Sequence, residues 1–566
     1  MASKGSINKR VISGKTYYYH QYLENGKQRS RTLSEEEAYA HAFSIYFGGS
    51  DLPSFQSHPF NAEVLFGAAL FSLTRPVESY RKRFCFPKIE NYLRGQGQTQ
   101  GKVLVLYGLR RTGKTTLMLQ SIRDLSFQDF ARAAYIKCDY GKTIYDLLDD
   151  LKFLTANGFR FIFIDEVTLL EDFIQLSSTL SDIYGMMARI VLSGTDSLGF
   201  LLASRNELYD RCLFLHTTYI PFSEFAETLG ICSIDRYIEY GGTMSFEGID
   251  YNKAIAKGGV EINEYVYSSI VHNIIHSMRM CPDNSYYLNL YDLYEKGELE
   301  NVINRVVEDS NHRFAIATIE RVFKSRDYGS LKQLLSSPRN YPQFGSVLEK
   351  VDEAKLREDL MAALNIIDKE KQTHKIDDTV LSEAELYLRF LDVIAYVDEI
   401  AAPSFTTKKR IVFTQPGLRY SQAKQLIEIL LKDESLQRYD RSLLEAVKEK
   451  LLSDVKGRMI EDIVLLESSM KNPKSFKMFF PLEGEYDMAV LDDENHTSSI
   501  YEIKYATVSN VHQTRFLKDE HLQSAFESVF YPINSRIVLY RGESSEIDGV
   551  FYQNIEEYLL SQKQEK

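Results

Sequence analysis

The stretch Val103-Leu104-Val105-Leu106-Tyr107-Gly108-Leu109-Arg110-Arg111-Thr112-Gly113-Lys114-Thr115-Thr116-Leu117-Met118 joins an apolar run, a glycine-bracketed turn and a helical pattern. The apolar run predicts a buried strand, and Thr116–Ile122 predicts the helix that follows. Two glycines with four residues between them, then Lys and Thr, form the P-loop pattern, and the strand before and helix after are its proper context. Each part has a physical task. Gly108 and Gly113 let the backbone turn tightly, so that N–H groups face phosphate oxygens. The helix N-terminus adds partial positive charge. Lys114 reaches the β- and γ-phosphates, and Thr115 offers its hydroxyl to Mg²⁺. The phosphate cradle expected here comprises Gly108, Arg111, Thr112, Gly113, Lys114, Thr115 and Thr116, with ATP and Mg²⁺ as cofactors.

Downstream, Phe161-Ile162-Phe163-Ile164-Asp165-Glu166 is an apolar strand ending in two acids. Beside a P-loop this is the Walker B arrangement. Asp165 is expected in the Mg²⁺ shell, and Glu166 as the general base that polarises the attacking water. Ile190-Val191-Leu192-Ser193-Gly194-Thr195 is a further strand with a polar end, where Ser193 or Thr195 is placed to sense the γ-phosphate. Arg211 follows, a candidate for transition-state charge given to a neighbouring copy. With Ala134–Cys138 and Leu213–Leu215, these runs make five short buried strands separated by helical segments, an α/β layer.

The rest of the 566 residues sets the frame. The net charge of −12 argues against a chain that coats nucleic acid or anionic membrane along its length, and 26% charged with 44% hydrophobic residues is ordinary globular composition. Five scattered cysteines (85, 138, 212, 232, 281) fit a reducing, cytoplasmic setting. The best apolar stretch, Phe60 to Leu73, holds Asn61 and Glu63 and is too short and polar to span a bilayer. Residues 1–33 carry seven basic residues and one acid. Their Thr16–Tyr22 run, the Asn25-Gly26 turn and Gln28–Leu33 predict a hairpin. Ser34 with Glu37 predicts a capped helix after it. Basic and aromatic residues interleave there, which suits phosphate contact with nucleic acid. The expected domains are a basic hairpin–helix module at 1–48, an ATPase core at 75–226, a helical region at 227–450 and a C-terminal domain at 451–566.

Gly-Leu-Arg-Arg-Thr-Gly-Lys-Thr-Thr-Leu, Ile-Asp-Glu, Leu-Ser-Gly-Thr, and Asp210-Arg211 before Pro221-Phe222-Ser223-Glu224-Phe225 together resemble a prokaryotic group of AAA-superfamily ATPases. The resemblance covers residues 75–225, with Leu109 for the usual Pro, Thr195 for Ser and Asp210 for Gly. Many such proteins carry a C-terminal domain of unknown function related to PD-(D/E)XK nucleases. Val412-Phe413-Thr414-Gln415-Pro416-Gly417-Leu418-Arg419-Tyr420 resembles the segment that introduces it.

The C-terminal residues fit that layout. Glu461 sits on a predicted helix, Asp487 on a strand opening at Gly484, and Glu502-Ile503-Lys504 on the next strand. Alternation puts Glu502 and Lys504 on one face and Ile503 toward the core. In an active nuclease, Glu461, Asp487 and Glu502 hold metal and Lys504 positions the attacking water. Residues 451–566 hold 12 basic and 20 acidic residues, a poor surface for duplex DNA. The leading expectation is an ATP-hydrolysing AAA-type protein with a nuclease-like C-terminal domain, near DNA. A nucleotide switch with an inactive nuclease fold and an ATP-gated metal-dependent nuclease are the alternatives.

Overall fold

The computed structural model describes residues 3–13, 15–47, 58–109, 111–139, 141–170, 178–194, 211–242, 288–296, 298–324, 355, 358–360, 362–363, 377–481, 483–509 and 514–563. Arg110, Thr195, Asp210, Cys281, most of Glu353–Lys371 and Gln513 lie outside them. The described residues fall into two compact units, one ending at Thr218 and the other beginning at Tyr219.

The first unit opens with three antiparallel strands in order, β1 (Ser3–Ile12), β2 (Lys15–Glu24) and β3 (Lys27–Leu33). The turn between β2 and β3 is Asn25-Gly26, both at positive φ, as a tight hairpin requires. β1 was not expected from the sequence; its residues alternate too weakly in polarity to announce a strand. The helix Glu35–Phe47 follows a complete capping box: Ser34 N–H donates to Glu37 at 2.8 Å, and Glu37 N–H donates back to Ser34 Oγ at 3.2 Å. Ile7, Tyr18, Leu33, Ala38 and Ala42 form the small core of this module.

The module meets the rest of the unit through Tyr39, which packs on Phe71, Phe127 and Phe130, and around a buried cation. Arg123, the last residue of helix Lys114–Arg123, pairs with Glu35 and, at 3.1 Å, with Glu78. Its guanidinium lies 4.8 Å from the rings of both Tyr39 and Phe71. Tyr18 donates its hydroxyl to the same Glu35 at 2.6 Å.

The main sheet of this unit has six strands: β4 (Glu63–Leu65), β5 (Val103–Tyr107), β6 (Ala133–Lys137), β7 (Phe161–Asp165), β8 (Arg189–Gly194) and β9 (Cys212–His216). Their order is β4-β6-β7-β8-β5-β9, parallel except for the short edge strand β4. The five predicted strands are all present. Val103 and Val105 pack on one face, Leu104 and Leu106 on the other, and β7 and β8 divide their residues likewise. Both faces are covered, so the strands are apolar throughout instead of alternating. The Phe60–Leu73 stretch becomes β4 and a buried helix, Gly67–Thr74.

The second unit holds an eight-stranded mixed sheet: β10 (Ile394–Ala401), β11 (Thr406–Phe413), β12 (Ser475–Phe480), β13 (Gly484–Asp492), β14 (Thr497–Ile503), β15 (Ile533–Tyr540), β16 (Ser545–Ile547) and β17 (Val550–Asn554). The order is β11-β10-β12-β13-β14-β15-β17-β16. The first hairpin lies within the region expected to be helical. In β10 the buried residues are Ile394, Val397 and Ile400, a spacing of three that mimics a helix face. The helix expected at Arg458–Ser468 is part of a 31-residue helix, Arg441–Lys471, which runs through position 450 without a break. Helices Phe222–Leu229, Ile234–Tyr240, Leu299–Lys324 and Pro416–Leu430 contribute to the same core. No helix among the described residues is long and apolar enough to cross a membrane.

Candidate functional site

The turn after β5 has the backbone its sequence demands. Gly108 has φ of +136°, and a Cβ there would stand 2.6 Å from the Thr217 carbonyl oxygen, so only glycine fits. Gly113, at φ +85°, caps helix Lys114–Arg123, and Arg111 also lies in the left-handed region at +66°. Thr112 is fully buried. Its hydroxyl donates to the Leu109 carbonyl at 2.7 Å and meets Thr217 Oγ1 at 2.9 Å, bracing the loop from behind. Arg83 donates to the Thr112 carbonyl at 2.8 Å. Lys114 Nζ donates to the carbonyls of Gly108 and Leu109, each at 2.9 Å, so the ammonium sits inside the loop. Thr115 is exposed at the start of the helix and Thr116 is half-buried beside it.

β7 delivers Asp165 to the same place. Its Oδ2 accepts the Thr115 hydroxyl at 2.7 Å and the Tyr135 hydroxyl at 2.7 Å. Its Oδ1 accepts Ser193 Oγ from the end of β8 and the Glu166 N–H at 3.1 Å. Glu166 adopts φ of +54°, left-handed backbone that a non-glycine residue holds at a cost, and such residues gather at active sites. Burial, and then the neighbouring Asp165 carboxylate, push the Tyr135 phenol up, which keeps it a proton donor. One carboxylate and one hydroxyl 2.7 Å apart beside a P-loop lysine form a donor set suited to Mg²⁺ that keeps waters and takes phosphate oxygens.

Arg211, expected to act on a neighbouring copy, lies away from the loop of its own chain. Its carbonyl accepts the Val103 N–H at 3.1 Å, and Cys212 stands opposite Val103. It therefore flanks the N-terminal end of β5, whereas the phosphate loop leaves the C-terminal end, about 13 Å away at 3.3 Å per residue. Its side chain pairs with Asp182 at 2.7 Å. It does not reach the loop of its own chain. The sequence did not point to Tyr135, Arg83 or Thr217. Each comes from a distant segment, and only strand pairing brings it to the loop.

In the second unit, Glu461, Asp487, Glu502 and Lys504 do converge, but with a second lysine among them. Lys477, from the middle of β12, lies 3.3 Å from Glu461, 3.3 Å from Glu485 and 3.7 Å from Asp487. Lys504 lies 3.2 Å from Asp487 and 2.5 Å from Glu502. Asp487 also accepts the Ile503 N–H at 2.8 Å. Burial raises the Glu461 and Glu502 carboxyls, helped by the charge on Asp487. At Asp487 burial acts in the same direction, but Lys504, Lys477 and the Ile503 N–H outweigh it and hold this acid well below the usual range. The two lysines thus favour the ionised form of Asp487, while burial favours the neutral form of Glu502.

Glu502 and Ile503 are both buried, because β14 is an inner strand with both faces covered. Among the described residues no group of three or more His, Cys, Asp or Glu is placed to hold a metal ion. Lys477 Nζ stands where a cation shared by Glu461 and Asp487 would stand. Its one sequence signal is a lone charge within Ser475-Phe476-Lys477-Met478-Phe479-Phe480.

The first unit's geometry defines a P-loop nucleotide-binding domain: parallel sheet, glycine loop, and Asp165 meeting Thr115. Residues 100–226 match the family model described as an AAA domain. Residues 1–40 match a domain of unknown function, DUF6788. No curated protein matches the chain. Among solved structures, a Walker-type ATPase of Pyrococcus abyssi aligns at 13% identity over 62% of this chain and 99% of its own, with a TM-score of 0.25. The Hsp104–ADP complex of S. cerevisiae aligns at 12% identity over 72% of this chain and 58% of its own, with a TM-score of 0.24.

Proposed function

We propose that the chain binds ATP with Mg²⁺ and hydrolyses it slowly. The observation that carries this is the contact between Thr115 and Asp165 at 2.7 Å, which joins the P-loop helix to the Walker B strand at one point. In this reading Thr115 and Asp165 hold Mg²⁺, which neutralises phosphate charge when bound. Lys114 turns from the Gly108 and Leu109 carbonyls to the phosphates. Ser193 fixes the Asp165 carboxylate, and Glu166 takes a proton from the attacking water. Arg211 acts on the nucleotide of a neighbouring copy. Calorimetry with ATP and Mg²⁺ tests the reading. Lys114→Ala is expected to abolish binding. Glu166→Gln is expected to keep binding and stop turnover, because an amide accepts no proton. An unmutated chain giving neither heat nor thermal shift with ATP refutes it.

For the second unit we favour a nuclease-like fold that serves as a binding platform and does not cleave. The order helix–Asp487–Glu502–Lys504 supports the fold, and Lys477 among the carboxylates supports the loss of metal chemistry. Incubating supercoiled plasmid with the chain and Mg²⁺ or Mn²⁺ should leave it intact. Nicking that Asp487→Ala removes while ATP turnover persists would restore the nuclease reading. Association with nucleic acid is assigned to residues 1–33, whose Lys9, Arg10, Lys15, Lys27, Arg29 and Arg31 are exposed. Deleting them should weaken binding and flatten its salt dependence by about 0.9 in log–log slope for each phosphate no longer neutralised. Equal affinity and slope without them would remove that role.

A further inference from the structure

The second unit contains a cavity of about 350 Å³ that neither the nucleotide site nor the carboxylate–lysine cluster uses. Five elements meet there: helices Leu299–Lys324, Asp378–Phe390, Pro416–Leu430 and Arg441–Lys471, and the β10–β11 hairpin. Among the described residues its charged lining is Arg313, Arg410, Arg419, Arg458, Asp462 and Glu385, a formal excess of two positive charges. Arg419 belongs to the Val412–Tyr420 segment, which the nucleotide chemistry leaves unexplained.

The guanidinium groups are held in place. Arg419 is 5% exposed. It donates to Asp462 at 2.6 Å and, through Nε, to Asn311 at 3.2 Å. Its guanidinium carbon lies 4.2 Å from the centre of the Phe314 ring and 4.8 Å from that of Phe413. Arg410 pairs with the other oxygen of Asp462, so one carboxylate serves two cations. Arg458 approaches the Phe314 ring at 5.6 Å and the Thr318 hydroxyl at 3.5 Å. Gathering like charges in a sheltered space is unfavourable unless an anion joins them. The strain is visible at Arg419, pushed down to about 9 by burial and then by Arg410 and Arg458. A fixed guanidinium fork matches the oxygens of phosphate. The remaining wall is apolar, with Leu388, Ile394 and Phe413 among its residues. The volume lies at the lower end of the range for small-molecule sites, roughly 300–1,000 Å³.

We propose that this cavity binds a phosphomonoester, a dianion matching the excess of two charges, whose organic body rests on the apolar wall. A free mononucleotide and the 5′-phosphorylated end of a nucleic acid strand both present that group. The test is calorimetry on the full-length chain carrying Lys114→Ala, which silences the P-loop. The probes are thymidine 5′-monophosphate, thymidine, inorganic phosphate, and a short oligonucleotide with and without its 5′-phosphate. The monophosphate should bind and thymidine should not, with inorganic phosphate at least tenfold weaker than the monophosphate. Arg313→Gln, at an exposed position, and Arg410→Gln, half-buried, should each weaken the monophosphate at least tenfold. A circular dichroism spectrum unchanged from the parent shows that each variant has folded. A 5′-phosphate preference in the oligonucleotide arm assigns the site to strand ends, and its absence assigns it to free nucleotides. No binding of the monophosphate, or binding equal to that of thymidine, or affinity unchanged in both folded variants, overturns the proposal.

Discussion

Glu467 provides a stability prediction with a sign and a size. It lies on the long helix Arg441–Lys471, 4% exposed, and its Oε1 accepts the N–H of Phe222 at 2.6 Å. Burial pushes its carboxyl from 4.5 up to about 8, although the Phe222 N–H and Tyr237 pull the other way. The folded chain therefore holds this group neutral where the unfolded chain ionises it. A raised folded value contributes stability that is complete below about pH 4.5 and is lost as pH climbs to about 8. Each tenfold change in proton affinity is about 1.4 kcal/mol, so this single group withdraws up to about 5 kcal/mol across that window. Glu467→Gln keeps the shape and the acceptor oxygen but cannot ionise. The stability gap between variant and parent should therefore move in favour of the variant by several kcal/mol between pH 5 and pH 8. Other titrating groups cancel in the difference. The chain has no tryptophan, so urea unfolding is best followed by far-ultraviolet circular dichroism. A gap that stays constant with pH within about 0.5 kcal/mol, the spread of a neutral substitution, would refute the argument.

Other substitutions test single interactions. Ser34→Ala removes half of the capping box and should cost about 1 kcal/mol of the first unit's stability in thermal unfolding. Tyr135→Phe deprives the buried Asp165 of one donor and should cost about 1–2 kcal/mol in urea, measured without nucleotide. Lys477→Met leaves Glu461 and Glu485 without their shared cation and should destabilise the second unit by about 3–5 kcal/mol at pH 7. Part of that loss should return near pH 5, because burial raises the Glu461 carboxyl and favours its protonation, and unfolding curves at the two pH values check it.

Sequence made the phosphate site legible because its determinants are local. A five-residue apolar strand, a glycine where a Cβ would strike Thr217, and a lysine one residue into the helix all lie within 16 residues. The Walker B strand was equally plain, since buried parallel strands are apolar on both faces. What stayed hidden depends on long-range pairing. Tyr135 reaches Asp165 only because β6 lies beside β7, and Arg211 misses the loop only because β9 enters the sheet at the opposite end. The β10–β11 hairpin was concealed by spacing, with Ile394, Val397 and Ile400 imitating a helix face. In the C-terminal cluster the carboxylates were foreseen, but Lys477 was not, because a lone lysine in an apolar strand reads as a solvated edge until the strand proves to be internal.

Arg123 gives the helix that starts at the phosphate loop a second anchored end. Ten residues at 1.5 Å each make a strut about 15 Å long, with Lys114 at one tip and the Arg123–Glu35 pair at the other. Helices of this length move as rigid bodies. At the far tip Tyr18 of the N-terminal sheet shares the Glu35 carboxylate with Arg123. The N-terminal sheet and the phosphate loop thus lie at the two ends of one helix, joined through Glu35.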